Sequence, residues 1–337
     1  ETVGVLVREE RPALYLYRQI MGDHVQTGLV TGASIDEYEA DLIKKHEHTR
    51  PKKEDDRTRH VEALNANTGP VFLTYRAKPE IDALVDRQTA GEPTYDFTAP
   101  DGIGHVLWVV DDAADVSALV AAFAAVPELY VADGHHRSAA GTRIRALRRD
   151  ANPAHTGSEA YNYFLSVIFP DNQMKILDYN RVVRDLNGLD NETFLSRIGE
   201  DFEVEPSETG KPDGPRTFGM YFGGRWYRLQ ARQGSVPEDD PVNRLDVAIL
   251  QNNLLAPILG IGDPRSDERI DFVGGIRGLG ELERRVGSGE CAVAFALFPT
   301  SIGQLFAVAD AGLVMPPKST WFEPKLRSGL IVRPLQD

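Results

Sequence analysis

The sequence predicts an α+β fold, with mixed sheets and flanking helices. Short apolar runs of strand length are interspersed with segments of helical spacing, without the steady strand–helix alternation of a parallel α/β fold. Pro-Asp-Asn, Gly-Gly and Asp-Gly groups punctuate those runs as turns. The 337 residues are 42% hydrophobic and 26% charged, which suits a globular chain of one large domain or two ordinary ones.

Taken in order, "LYLYRQ" and "VQTGLVTG" read as adjacent strands. Ser34 then caps a helix, with Glu37 three residues on in a capping-box arrangement, and that helix is expected to carry Tyr38, Leu42 and Ile43. Pro51 suits the first turn of a second, highly charged helix. "GPVFLTYR" is a buried strand, and residues 76–100, with Pro79, Gly91, Pro93 and Pro100, read as loop. "HVLWVV" is a strand and "VSALVAAFAAV" a helix. "LYVA" is a short buried strand, turned by Asp133 and Gly134 into a basic helix that runs to about Arg149.

The polar stretch "NPAHTGSEA" divides an N-terminal part, 1–150, from a C-terminal part, 151–337. Beyond it, "YNYFLSVIFP" and "MKILDYNRVV" read as paired strands, and Asn191 as the cap of "ETFLSRIGEDF". "RTFGMYFGGRWYRLQA" carries a hairpin signal at Gly223-Gly224. "RLDVAILQNNLLAPILGI" reads as a helix stopped at Pro257. "RIDFVGG" and "CAVAFALFP" are strands flanking the helical "ELERRV", and the chain ends in a Pro- and Gly-punctuated loop and a strand.

Composition narrows the function. A net charge of −14 disfavours nucleic acid, whose affinity comes from phosphates neutralised by Lys and Arg. No apolar run approaches the roughly 20 residues of a membrane span. Cys291 is the one cysteine, which excludes an intrachain disulfide and any Cys-based zinc cluster and suits a reducing cytoplasm. The expected partners are a small-molecule substrate and a nucleotide.

The chemistry concentrates in "YVADGHHRSAAGTRI". A strand, a tight turn and a helix start make an anion site, because the first N–H groups of a helix have no intrahelical partner and the dipole adds positive potential. Gly134, His135, His136 and Arg137 form the expected cradle, with Arg137 supplying forked donors to phosphate oxygens. The competing reading makes Asp133 a helix cap and the histidines incidental. Adjacent helical residues point about 100° apart, so His135 and His136 do not suit joint chelation of a metal. Mg²⁺ accompanying ATP or ADP is the expected cofactor, since it needs only a carboxylate or two besides phosphate oxygens. In "KKHEHTRPKKEDDRTRH", Glu47 suits a general base, with His46, Thr49, Glu54, Asp55 and Arg57 around it. The "PPKSTWFEPKL" loop brings Lys318, Ser319, Thr320, Trp321, Lys325 and Arg327, and is expected to reach the same site. No P-loop, Rossmann fingerprint or nucleophile elbow is present.

Together, "LYVADGHHRSAA", "HEHTRPKKEDDRTRH", "GPVFLTY", "ILDYNRVV", "IDFVGG" and "MPPKSTWFEPKLRSGL" resemble the DUF1015 family, in the family's order. By that resemblance a further N-terminal segment is expected before "ETVGVLVREERP". Locally, the Asp-Gly-x-His-Arg turn before an Ala-rich helix is similar to the signature of the ParB/sulfiredoxin superfamily, which includes free serine kinases. That likeness implies nucleotide binding at a ParB/sulfiredoxin-like core around the turn. It gives Asp133, His135 and His136 catalytic roles, and makes Glu47 the base towards a substrate hydroxyl. The sulfiredoxin cysteine is absent, with His135 in its region. The function expected is a nucleotide-dependent phosphotransferase, with free serine as candidate substrate. A non-catalytic nucleotide or phosphometabolite sensor and an NTP hydrolase are the alternatives.

Overall fold

The computed structural model describes residues 6–336. Its fold is α+β with mixed sheets, in two compact units: residues up to 175 together with those from 324 on, and residues 176–323.

The first unit runs β1 (Leu14–Met21), β2 (His24–Ser34), α1 (Ile35–Glu39), β3 (Ile43–Lys44), α2 (Pro51–Leu64), β4 (Ala66–Asn67), β5 (Val71–Tyr75), α3 (Pro79–Thr89), β6 (Tyr95–Thr98), β7 (Gly104–Val110), α4 (Ala113–Ala124), β8 (Leu129–Asp133), α5 (His135–Asp150) and β9 (Tyr163–Pro170). The second runs from β10 (Lys175–Leu177), which straddles the boundary, through β11 (Tyr179–Val183), α6 (Asn191–Asp201), β12 (Phe202–Ser207), β13 (Thr217–Phe222), β14 (Arg225–Ala231), α7 (Asp246–Leu250), β15 (Ile270–Gly274), α8 (Leu279–Gly287), β16 (Val293–Leu297) and α9 (Ile302–Asp310) to β17 (Trp321–Glu323). The chain ends in the first unit with β18 (Arg333–Pro334), which pairs with β4.

The first unit's sheet has strand order β3-β8-β5-β9-β2-β1-β7-β6. β3–β8 and β5–β9 are parallel and the other neighbours antiparallel. All five residues of β5 are buried, as expected of an apolar strand with neighbours on both edges. The core beside it joins Ile35, Ile43, Leu73, Ile81 and Val131. α5 lies close against β9 because Gly141 has no side chain; a Cβ there would stand 3.3 Å from the Phe164 Cβ. Arg145, further along α5, ties the helix to Asp36 and to Glu39, the latter at 2.9 Å. The second unit's sheet has order β12-β14-β13-β16-β11-β15.

Several expectations need correction. The division falls at residue 175 rather than 150, because β9 sits between β5 and β2 in the middle of the first sheet. For the same reason "YNYFLSVIFP" does not pair with "MKILDYNRVV" as a hairpin. Asp171, in the supposed turn, instead accepts a hydrogen bond from the Ala77 N–H. Residues 76–100 are not loop: Pro79 starts α3, where its missing N–H costs nothing, and Ile81 anchors that helix in the core. α1 stops at Glu39, so Ile43 lies on β3 and Leu42 is exposed. The cap of α6 is Asp190, whose carboxylate accepts from the Thr193 N–H, one residue before Asn191. The Gly223-Gly224 hairpin forms as read, both residues having positive φ.

Gly141→Val tests how closely α5 must approach the sheet. The larger side chain pushes on Phe164 and is expected to destabilise the protein by roughly 1–3 kcal/mol, as overpacking does. Urea denaturation measures it; an unchanged midpoint contradicts the account.

Candidate functional site

The turn from β8 into α5 is made by Gly134 alone, at φ 103° and ψ 24°. No side chain caps the helix. The Arg137 and Ser138 N–H groups both donate to the Gly134 carbonyl, at 2.8 and 3.0 Å. A Cβ on Gly134 would meet the Arg137 guanidinium at 2.9 Å, so that side chain folds back over the turn. Its Nε is buried with no hydrogen-bond partner among the described residues.

Two carboxylates and two cations surround the turn. Asp133, the last residue of β8, lies 3.3 Å from Lys325 Nζ and 4.0 Å from Arg137 Nη2. Glu47 lies 3.8 Å from His135 Nδ1, beyond hydrogen-bond length, and is half exposed. Arg57 of α2 and Arg137 also line a cavity of 260 Å³, with His60, Asn67, Thr68 and Ser328 on its walls.

The histidines play unlike parts. His135 is buried and packs edge-on against His46, with ring centroids 4.5 Å apart. Among the described residues, His46 Nδ1 and His135 Nε2 are both without hydrogen-bond partners. Burial pushes the His46 pKa down to about 4, against a weaker upward pull from Asp133. Burial, with His46 and neighbouring cations, drives His135 well below its usual value. Both rings are therefore neutral at pH 7. His136 is half-buried, and its Nε2 accepts the Arg50 N–H at 3.2 Å. Burial first, then Arg50, lowers its pKa.

Of the residues singled out in the sequence, the fold brings His46, Glu47, Asp133–Arg137, Arg57 and Lys325 together. Thr49 donates to Glu54 and Asp55 pairs with Arg143 at 2.7 Å, contacts that brace α2, while the Glu54 carboxylate also pulls upward on the His136 pKa. Arg327 reaches His105 and Asp101 instead. Lys318, Ser319, Thr320 and Trp321 belong to the second unit. There Lys318 lies over the Tyr179 ring, Ser319 donates to the Pro316 carbonyl, and Trp321 packs edge-on against Tyr179. Among the described residues no three His, Cys, Asp or Glu groups converge as a metal site, and no helix is long and apolar enough to cross a membrane. Sequence reasoning missed Arg50, whose role is played by its backbone, and the cavity residues His60, Asn67, Thr68 and Ser328, whose types carry no signal of their own.

The neutral histidines make stability depend on pH. Their folded pKa values lie below the unfolded one, so the unfolded state binds more protons between about pH 4 and 6.5. Stability is complete above that window and is lost as pH falls through it, with His46 contributing roughly 3 kcal/mol. His46→Phe is expected to flatten the loss measured by denaturation at pH 7 and about pH 5. An equal loss in the variant and the parent refutes this.

The chain matches the model of "Protein of unknown function (DUF1015)" over residues 2–248. No curated protein matches it. Among solved structures it is similar to a conserved hypothetical protein from Pyrococcus furiosus, at 14% identity over 89% of this chain and 93% of that one, with a TM-score of 0.41. A free serine kinase in complex with AMP shares 13% identity over 87% and 86% of the two chains, TM-score 0.41. SbnI from Staphylococcus aureus, with a C-terminal truncation, shares 13% over 90% and 87%, TM-score 0.45. With the family's model matched along most of its length, the chain belongs to the DUF1015 family.

Proposed function

We propose that the protein is a nucleotide-dependent phosphotransferase acting on a small hydroxyl-bearing metabolite, with free serine the first substrate to test. The observation that carries this reading is the uncapped start of α5, with the Arg137 guanidinium folded over Gly134 and its Nε unpartnered. Helix N–H groups and a guanidinium in that arrangement suit phosphate oxygens. The Lys325 ammonium beside Asp133 adds a second cation.

Phosphoryl transfer asks a protein chiefly for positioning and charge stabilisation, and this site offers both. Arg137 and the N–H groups of residues 135 and 136 would hold the transferring group. The cavity beside Arg137, with polar and apolar residues on its wall, is of a size for a small metabolite. Glu47, half exposed next to the turn, would accept the hydroxyl proton. His135 and His46 are buried and neutral, so the reading gives them the task of holding residues 46–47 against α5 rather than carrying charge. Mg²⁺ would arrive with ATP or ADP, whose phosphates supply most of its oxygen ligands, and Asp133 is the carboxylate at hand.

Incubation with Mg²⁺, serine and either ATP or ADP is expected to yield phosphoserine. Arg137→Ala is expected to lower turnover by roughly 10²–10³-fold, as loss of one charge-stabilising donor does. Glu47→Gln should cut turnover while leaving nucleotide affinity in place. Nucleotide binding without turnover makes the protein a sensor, and nucleotide breakdown without phosphoserine makes it a hydrolase; either result removes the serine kinase assignment.

A further inference from the structure

Three arginines of the described chain are buried: Arg145, Arg181 and Arg285. Arg145 is paired with Asp36 and Glu39, and Arg285 with Asp271 and Glu290. Arg181 has no such carboxylate, although it is only 3% exposed. It stands on β11, between Phe272 of β15 and Phe295 of β16, inside the second unit. Its Nη1 donates to the Tyr179 carbonyl, and its Nη2 to the carbonyls of Lys318 at 2.9 Å and Pro317 at 3.5 Å. Its carbon Cζ lies 5.2 Å from the centre of the Phe272 ring. These contacts satisfy N–H groups but leave a whole positive charge without a counter-charge. Burial accordingly lowers the Arg181 pKa to about 9. An uncompensated buried charge is costly, and an apolar side chain of similar volume would fill the same space at less cost.

Arg181 also lines a cavity of 320 Å³. Val247, Leu255, Ile270, Phe272 and Pro316 make the apolar part of its wall, and Gln251, Asp263 and Arg265 stand on it as polar groups. The other cation on the wall, Arg265, is already held by both carboxylate oxygens of Asp263, at 3.0 and 3.1 Å. One positive charge without a carboxylate, beside an apolar stretch of the wall, fits a ligand with one negative charge and an apolar body. A phosphate dianion would leave a second charge buried without a partner.

We propose that this cavity is a binding site for a small organic carboxylate, whose head group pairs with Arg181 and whose apolar body lies against Val247, Leu255 and Ile270. The site lies wholly within the second unit and is independent of the cradle at Gly134. The charge of the guanidinium supplies the recognition, and the apolar residues of the wall favour a ligand with an apolar body over a small hydrated anion.

Calorimetric titration of the whole chain with hexanoate and with benzoate tests this, with inorganic phosphate as a separate arm. One carboxylate at least is expected to bind with a stoichiometry of one. Arg181→Met is expected to weaken that binding by roughly tenfold or more, the worth of a hydrogen bond to a charged group. Gln251→Trp, which fills the cavity from its wall and leaves Arg181 in place, is expected to abolish it, and decides the matter if Arg181→Met does not fold. The proposal is overturned if neither carboxylate binds, if Gln251→Trp leaves binding unchanged, if a folded Arg181→Met binds as the parent does, or if phosphate binds more tightly than both.

Discussion

The candidate site depends on one backbone angle. At φ 103°, Gly134 turns the end of β8 into the start of α5 within a single residue. A residue with a Cβ would be strained in that conformation and would also push against the Arg137 guanidinium. Because the turn is so short, Asp133 ends the strand four residues, about one helical turn, before Arg137. The sheet fixes β8, Gly141 and Arg145 fix α5, and Gly134 converts those two rigid elements into a fixed cradle.

Around the turn, charge and neutrality are separated by burial. The cations Arg137 and Lys325 and the anions Asp133 and Glu47 keep access to solvent, whereas His46 and His135 are sealed in. A charged imidazole at either position would lack water, and the pull of Glu47 on His135 and of Asp133 on His46 is weaker than that cost of burial. The pair therefore packs as neutral rings, edge against face. That leaves the positive potential of the cradle to the helix start and the guanidinium, neither of which titrates near neutral pH. The overall charge of −14 does not oppose this, because the local field is set by groups within a few ångströms, and distant surface charges are screened.

Much of this was legible in the sequence. The strand and the basic helix at 129–150 form as the sequence predicts, since apolar spacing is a local property, although Asp133 belongs to the strand and Gly134 alone makes the turn. The hairpin at Gly223-Gly224 was legible for the same reason. Partnerships between distant segments were not. β9 has the same apolar character whether it pairs forward or back, and its place between β5 and β2 follows from tertiary packing that no periodicity encodes. Pro79 shows a further limit: a proline that starts a helix and one that breaks it look alike until the next turn's burial is known. At the site, Asp133–Arg137 announced themselves by type and spacing. That Arg327 goes to His105 and Asp101 while Lys325, two residues earlier, goes to Asp133 depends on the path of an irregular segment.

The tautomer of His136 shows how the two charged helices are joined. Its Nε2 accepts the N–H of Arg50, the residue that caps α2, so His136 must be neutral and carry its proton on Nδ1. That one hydrogen bond sets the N-terminus of α2 beside the N-terminus of α5. Further along, Arg143 of α5 reaches Asp55 of α2 and holds the pair in register. Two helix starts side by side add their positive ends, which opposes protonation of His136 in the same sense as its burial and the nearby Arg50. The arrangement costs electrostatic energy as long as both ends face only each other and water. An anion at the α5 start would relieve that cost, so the geometry that keeps His136 neutral is also the one that supports the proposed phosphate site.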